Sequence, residues 1–167
     1  MISQKKRRDP SRTTAQSYEY IKIVSANITL IIGFMKYFSF QEFERSETAT
    51  RYAIDNNVPD KLKGNVAALV DRVLDPLREA WGKPITVTSG YRCEELNRRV
   101  GGVKTSQHLT GEAVDITTGN RVENRRLFQL IQDLKLPFDQ LIDEKNFSWV
   151  HVSHRANGSN RGEMLKL

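Results

Sequence analysis

Apolar residues recur at intervals of three and four between residues 60 and 81, which predicts a long amphipathic helix against a core. Pro76 lies inside this pattern. Because proline has no backbone N–H to donate, it should kink the helix or begin a new segment there. The pattern ends at Gly82 and Pro84, which are typical of helix termination. Further helices are predicted after Ser39, with which Glu42 forms a capping box, and over residues 94–100 and 122–134.

Four short runs predict strands, over residues 85–88, 113–117, 138–142 and 149–153. Together with the helices they predict an α+β domain, in which helices pack on a small, mostly antiparallel sheet. Two of these runs place a polar residue between apolar ones. Val114 and Ile116 flank Asp115, while Val150 and Val152 flank His151. We therefore expect Asp115 and His151 to project from the face opposite the core, side by side if the two strands pair.

His108 precedes Asp115 by seven positions, on a loop in which Gly111 can turn where a Cβ would obstruct the chain. From that loop the imidazole could close over Asp115 and His151. Neutral imidazoles and a carboxylate suit zinc, and a catalytic zinc site takes three protein ligands and leaves a fourth position open. The three residues are therefore candidate ligands of one zinc ion per chain.

Two further side chains compete for this role. His154 follows His151 by three positions, an odd step that points it to the other face of a continuing strand. Glu112 follows His108 by four positions, which suits two ligands only within a helix, and Thr110 and Gly111 argue against one. We expect both to lie outside the metal site.

The residues around these candidates resemble a known family. Four blocks occur in order: Ser89-Gly90-Tyr91-Arg92, Val100-Gly101-Gly102, His108-x-x-Gly-x-x-x-Asp115 and Trp149-x-His151. Over roughly residues 37–163 they resemble the zinc D-alanyl-D-alanine carboxypeptidases, in the sub-branch ending Trp-x-His, which are relatives of lysostaphin-type and hedgehog-type domains. The resemblance implies a zinc peptidase acting on bacterial cell-wall peptides, with His108, Asp115 and His151 as ligands.

Arg92 follows a Ser-Gly turn at a predicted strand end, where its guanidinium could clamp a peptide carboxylate or a developing oxyanion. In the resembled family an arginine of this motif has that role. The alternative is a structural ion pair with Glu94 or Glu95. Other candidates for contact with the substrate are Ser106, Gln107 and Tyr91, of which Tyr91 could instead simply pack.

A zinc hydrolase also needs a general base for the attacking water. Many members of the resembled family have an acid three residues before the last histidine, where this chain has Ser148. The nearest acids are Glu144, Asp143 and Asp139. In the sub-branch ending Trp-x-His a glutamate in the position of Glu144 is the usual acid, and we assign Glu144 as the base. Its alternative is a charged residue in a hairpin turn.

The net charge of +6 at pH 7 could suggest nucleic acid, but its location argues against this. Residues 1–34 carry six Lys or Arg and two acids, a net +4, so the remaining residues carry only +2. Cys93 is the only cysteine, which excludes an internal disulfide. We interpret it as a packed thiol at a helix start rather than as a nucleophile.

The N-terminal segment, residues 1–34, is expected to be a basic extension of a domain that occupies residues 35–167. Residues 1–20 lack periodicity and should be disordered. Residues 23–35 are mostly apolar, but they are shorter than the roughly 18–20 residues that span a bilayer. They could belong to a disordered or spurious extension before a start at Met35, or to an export signal or anchor. We favour the extension over an export signal, and we expect no stable membrane insertion.

The resemblance, together with the three candidate ligands, implies a zinc peptidase that cleaves bonds next to D-amino acids in peptidoglycan, and we expect it to be a monomer. The enzyme would be synthesised in the cytoplasm and act at the cell wall or in the periplasm, as a D,D- or L,D-carboxypeptidase or endopeptidase. A phage endolysin and a bacterial wall-trimming enzyme both fit. The alternative is a metal-dependent wall-binding or protein-binding module without catalysis, which Ser148 keeps open. A nucleic-acid binder acting through the basic arm is a more distant reading.

Overall fold

A computed structural model describes residues 19–22 and 31–167 of the chain, with side chains from residue 35 onward. Strands β1 (Glu19–Lys22) and β2 (Ile31–Phe34) pair antiparallel in a two-stranded sheet that lies next to a helix beginning at Asp60. The expectation of disorder through residue 20 is therefore wrong for residues 19 and 20, whose backbone belongs to β1. Residues 1–18 and 23–30 lie outside the described residues.

Six α-helices occur in the part of the chain that the structure describes. They are α1 (Phe40–Glu44), α2 (Glu47–Arg51), α3 (Asp60–Leu69), α4 (Asp75–Trp81), α5 (Glu94–Arg99) and α6 (Arg121–Asp133). The predicted capping box at the start of α1 is present, because the Ser39 backbone N–H donates to Glu42 Oε2 at 2.7 Å. Among the described residues, no helix is both long and apolar enough to cross a membrane.

The long helix predicted over residues 60–81 is continuous but changes its winding in the middle. A π-helical segment, Val70–Leu74, joins α3 to α4, and Pro76 lies in the first turn of α4. Because Pro76 cannot donate to the preceding turn and its ring crowds that turn, a local widening of the helix accommodates it. This confirms the predicted effect of Pro76.

Five strands form the main sheet, in the order β3-β4-β6-β5-β7. Their bounds are β3 (Thr86–Ser89), β4 (Ala113–Thr117), β5 (Gln140–Glu144), β6 (Trp149–Ser153) and β7 (Glu163–Lys166). Each neighbouring pair is antiparallel except β5 and β7, which are parallel. The predicted α+β fold with a mostly antiparallel sheet is confirmed.

One face of the sheet forms the core. Val114, Ile116, Leu141, Val150 and Val152 are fully buried in one hydrophobic cluster with residues of the helices. Helix α6 packs against β5 and β6 on this face, and its Leu127 and Ile131 are also fully buried. The opposite face of the same strands is left free to carry polar residues.

Candidate metal centre and cleft

His108, Asp115 and His151 meet on the face of the sheet opposite the core. Asp115 in β4 lies directly across from His151 in β6. The Asp115 Oδ1 is 2.9 Å from His151 Nδ1 and 3.4 Å from His108 Nε2, and the two histidine nitrogens are 3.3 Å apart. One ligand atom from each residue lies within 4.8 Å of the others, a group that can hold a metal ion. The side-by-side placement predicted from the alternating strands is therefore present.

A short 3-10 helix, Gln107–Thr110, positions His108 over the strands. The His108 Nδ1 lies 2.6 Å from the carbonyl oxygen of Gly90. Because a carbonyl only accepts, Nδ1 carries the proton and Nε2 offers its lone pair to the cluster. The 3-10 helix ends at Gly111, whose φ is 70° and where a Cβ would lie 2.9 Å from Val66 Cγ2. This supports the predicted need for glycine at that turn.

The electrostatics of the cluster favour the protonation states of metal ligands. Burial lowers the pKa of His108, so the neutral imidazole is favoured. Burial opposes ionisation of Asp115, but its contacts and hydrogen bonds with His108 and His151 outweigh this effect and hold the pKa of Asp115 well below its usual range. A neutral imidazole beside an ionised carboxylate is the donor set that a divalent cation requires.

Arg92 lies beside this cluster and contacts it directly. Its Nε donates to Ser89 Oγ at 2.8 Å, and its Nη2 donates to Asp115 Oδ2 at 2.8 Å. The alternative pair with Glu94 or Glu95 is not formed, and Glu95 instead contacts Arg99. Arg92 is thus an arginine held at the edge of the cluster rather than a partner of the helix that follows it.

A cleft of about 900 Å³ opens over the cluster. Ser106 and Gln107 line it, as the sequence predicted. Both side-chain amide atoms of Gln107 are buried without a hydrogen-bond partner among the described residues, which is an unfavourable state for polar groups. Tyr91 does not line this cleft. It is 8% exposed in the hydrophobic core, so its packing alternative fits this position better than contact with the substrate.

Of the three acids considered as the base, Glu144 is the one that lines the cleft. Burial raises the pKa of Glu144, and the charge of Asp115 raises it further. Asp143 faces the core side, where it accepts a hydrogen bond from the Phe147 backbone. Asp139 is fully buried and holds two arginine side chains. The geometry therefore favours Glu144 among these acids.

The two rival ligands lie outside the cluster. The ring of His154 is hydrogen-bonded to the carbonyl oxygen of Pro137 through Nδ1. Glu112 Oε2 accepts a hydrogen bond from Thr110 Oγ1 at 2.9 Å. Neither side chain belongs to the group of ligand atoms around Asp115, in agreement with the sequence-based expectation.

Sequence reasoning missed Asn124, a residue that supports the cleft from the core side. Asn124 is 1% exposed, and its Nδ2 donates to the carbonyl oxygens of Phe147 at 2.9 Å and Ser148 at 3.1 Å. These two residues belong to the turn between β5 and β6, which carries Glu144 at its start. The available signal was a polar residue three positions before Leu127 on the apolar stripe of a helix.

The same turn has an uncommon backbone. Lys145, Asn146 and Phe147 have φ values of 48°, 56° and 59°, the left-handed region that residues other than glycine seldom adopt. Phe147 packs edge to face on Phe128 of α6, with the ring centroids 5.6 Å apart. Contacts to α6 therefore hold the turn in a conformation that its own sequence disfavours.

Comparison with known proteins agrees with this geometry. Residues 36–153 match the family model described as Peptidase M15. A 49-residue stretch is 43% identical to the zinc D-Ala-D-Ala carboxypeptidase of Streptomyces albus G, and it covers 29% of this chain and 19% of that protein. The family match spans most of the chain and includes all three residues of the cluster. The chain belongs to the Peptidase M15 family.

Proposed function

We propose that this protein is a zinc-dependent peptidase that hydrolyses peptide bonds next to D-amino acids in peptidoglycan. The observation that carries the proposal is the convergence of His108, Asp115 and His151 beneath an open cleft that Glu144 and Arg92 also line. Membership in a peptidase family supports the reaction class. The partial match to a zinc D-Ala-D-Ala carboxypeptidase supports the metal and the substrate class.

In this proposal His108 Nε2, one carboxylate oxygen of Asp115 and His151 Nδ1 hold the zinc ion. Two imidazoles and one carboxylate make a three-residue set that suits a catalytic zinc site. When bound, zinc supplies Lewis-acid chemistry for a carbonyl oxygen and for water. All three ligand residues come from one chain, which supports a monomer as the working enzyme.

Glu144 is proposed to accept the proton of the attacking water and later to return it to the leaving amine. A carboxylate whose pKa is raised toward neutral pH is a stronger base than an ordinary one. Arg92 is proposed to donate to the carbonyl oxygen of the cut bond as negative charge develops there. Its guanidinium is already oriented by Ser89 and Asp115, so little ordering is needed on substrate binding.

Ser106 and Gln107 are proposed to bind the peptide along the wall of the cleft. The amide of Gln107 is buried and unpaired, and a rotation of the side chain toward the cleft would let it donate to a peptide carbonyl and accept from a peptide N–H. Each such hydrogen bond restores a partner to a polar group that the protein has already removed from water. Contact with the substrate is thus favoured at this residue.

The test is digestion of purified peptidoglycan by zinc-loaded protein, with the products identified by mass spectrometry. We expect released D-amino acids if the enzyme is a carboxypeptidase, or separated cross-linked peptides if it is an endopeptidase. Protein treated with a chelator is the control and should release neither until zinc is restored.

Zinc-loaded protein that cleaves no D,D or L,D bond would contradict the proposal. Binding of peptidoglycan without cleavage would then favour the non-catalytic wall-binding module. An endolysin role would be supported by lysis of whole cells on addition of the protein from outside.

A further inference from the structure

A second cluster of charged side chains borders the cleft away from the three ligand residues. Asp139 is fully buried, and its carboxylate holds two arginines. The Asp139 Oδ2 lies 2.7 Å from Arg161 Nη2, and Oδ1 lies 3.1 Å from Arg155 Nε. Both arginines line the cleft. The buried acid therefore orients two cationic groups along the cleft wall.

Arg161 has a structural explanation that Arg155 lacks. The Arg161 backbone N–H also donates to Asp139 Oδ1 at 3.1 Å, and its Nη1 contacts Glu163 Oε2 at 2.9 Å. These bonds anchor strand β7 to β5. Asp139 is thus already matched by Arg161, and the pKa of its carboxyl is lowered to about 2, mainly by the Arg161 hydrogen bond. A second arginine on the same acid is not needed for that anchor.

Arg155 is the cation of this cluster with fewer acidic contacts. Its one acidic contact within the described residues is the Asp139 carboxylate, which it shares with Arg161. Its Nη1 and Nη2 have no hydrogen-bond partner in that part of the chain, and 42% of the side chain is exposed. A partly exposed guanidinium on the cleft lining, with no hydrogen-bond partner for its terminal nitrogens among the described residues, can bind a carboxylate through two parallel hydrogen bonds.

Arg155 lies four residues beyond His151 along the chain, which sets its approximate distance from the ligand residues. His151 faces the cleft, and residues at steps of two along an extended chain share a face. The chain stays extended as far as His154, whose backbone N–H donates to the Glu112 carbonyl at 2.8 Å. Four residues of extended chain span about 13 Å. A peptide cut beside His151 would therefore bring a residue a few positions from the cut bond to Arg155.

We propose that Arg155 binds a free carboxylate of the peptide substrate, a few residues from the bond that is cut. The ligand class is a peptide bearing an α-carboxylate or side-chain carboxylate at that position, in preference to its carboxamide. This inference rests on the proposed peptidase function, because it takes the cleft as the substrate site. It adds a basis for selecting acidic over amidated peptides.

The experiment measures binding rather than turnover. Zinc-loaded full-length protein with Glu144→Gln is titrated by calorimetry with synthetic wall peptides in matched pairs. The two members of a pair differ in one carboxylate or carboxamide, and the pairs move this group along the peptide. At one position the carboxylate should bind about tenfold more tightly, as expected for a charge-assisted hydrogen bond to a partly exposed group.

Arg155→Gln should abolish this preference and leave the affinity for the carboxamide peptide unchanged, while Arg155→Lys should retain part of it. Lys145→Gln is the matched control, because Lys145 is another cation that lines the same cleft. This control should keep the preference. Equal binding of every pair by the protein with Arg155 intact would overturn the inference, as would a preference that survives Arg155→Gln.

A failure of the proposed function gives a different result. Wild-type protein would then cleave none of the peptides, whereas the carboxylate preference in binding can still be measured. If Arg155→Gln does not fold, the comparison within each pair in the protein with Arg155 intact, together with Arg155→Lys, decides the outcome.

Discussion

The core face and the cleft face of the five-stranded sheet are made by the same strands but obey different rules. On the core face Val114, Val150 and Val152 are fully buried and need no partners. On the cleft face Asp115 and His151 are 7% and 8% exposed, nearly as buried, yet each polar atom needs a partner. They find it in each other. The comparison shows that alternation along a strand can place a rigid apolar support directly beneath a metal-binding group.

The largest effect is expected from substituting the three candidate ligands on the cleft face, which should remove the metal. His108→Ala, Asp115→Ala and His151→Ala should each reduce zinc binding severely and abolish peptidase activity, because an incomplete set of ligands remains. Elemental analysis of the purified variants measures this. His154→Gln is the control, since that histidine lies three residues away outside the cluster and should leave zinc in place. Full zinc content in His151→Ala would contradict the assignment.

Substitutions on the core face should instead lower the stability of the fold. Leu141→Ala removes a fully buried side chain and should lower the free energy of unfolding by about 2–5 kcal/mol without changing zinc content. Ile142→Ala, one residue on, changes the cleft face between His151 and Leu165. It should cost less stability, because water can enter the space, and should raise the KM for peptide. Urea unfolding and kinetics separate the two. Equal stability losses with unchanged KM would contradict the distinction between the faces.

A smaller effect on activity is expected from Asn124, which connects the core side of the sheet to the turn beside the cleft. Asn124→Ala removes the donor to the Phe147 and Ser148 carbonyls and so loosens the turn that follows Glu144. We expect a fall in kcat with zinc content retained, and a loss of stability of about 1–3 kcal/mol for the unsatisfied groups. Kinetics well below the melting temperature measure it. An unchanged kcat in a destabilised variant would show that Asn124 serves stability alone.

The smallest effect is expected from removing residues 1–34. Met35 and Phe38 are buried in the core, and the backbone N–H groups of Lys36 and Tyr37 donate to Asp75 of α4 at 2.8 and 3.1 Å. Residues 35–38 are thus held by packing and by hydrogen bonds within the proposed domain. A chain beginning at Met35 should therefore keep its zinc and nearly its full melting temperature. Insoluble protein or a clear fall in melting temperature would show that the two-stranded sheet beside α3 stabilises the domain.

The sequence predicted those parts of the site that depend on local patterns. Asp115 and His151 could be placed because each lies between apolar residues of a short strand. The start of a new helical segment near Pro76 could be predicted from its missing backbone donor, but the π-helical winding before it could not. No strand was predicted where β7 lies, because Glu163–Lys166 alternates between half-buried and exposed residues and carries no continuous apolar signal. Its pairing with β5 depends on contacts distant along the chain.

The same limit explains why the sequence left the packing of Tyr91 open and gave no indication of Arg155. Tyr91 and Arg92 are adjacent at a strand end, and composition could not tell which enters the cleft. The structure buries Tyr91 and turns Arg92 toward Asp115. The sequence offered no reason to select Arg155, because its partner Asp139 lies far from it along the chain. Only the structure shows that Arg155 and Arg161 share this carboxylate.

The central claim is that the cleft face performs peptide hydrolysis, and Glu144→Gln tests it most directly. The change is nearly isosteric and lies outside the ligand set, so zinc should remain at about one per chain, as in the wild type. Turnover of peptidoglycan peptides should fall by about 10²–10⁴, the usual contribution of a general base. Glu95→Gln makes the same chemical change on the surface of α5 and should keep wild-type turnover. Full activity in zinc-loaded Glu144→Gln would contradict the account.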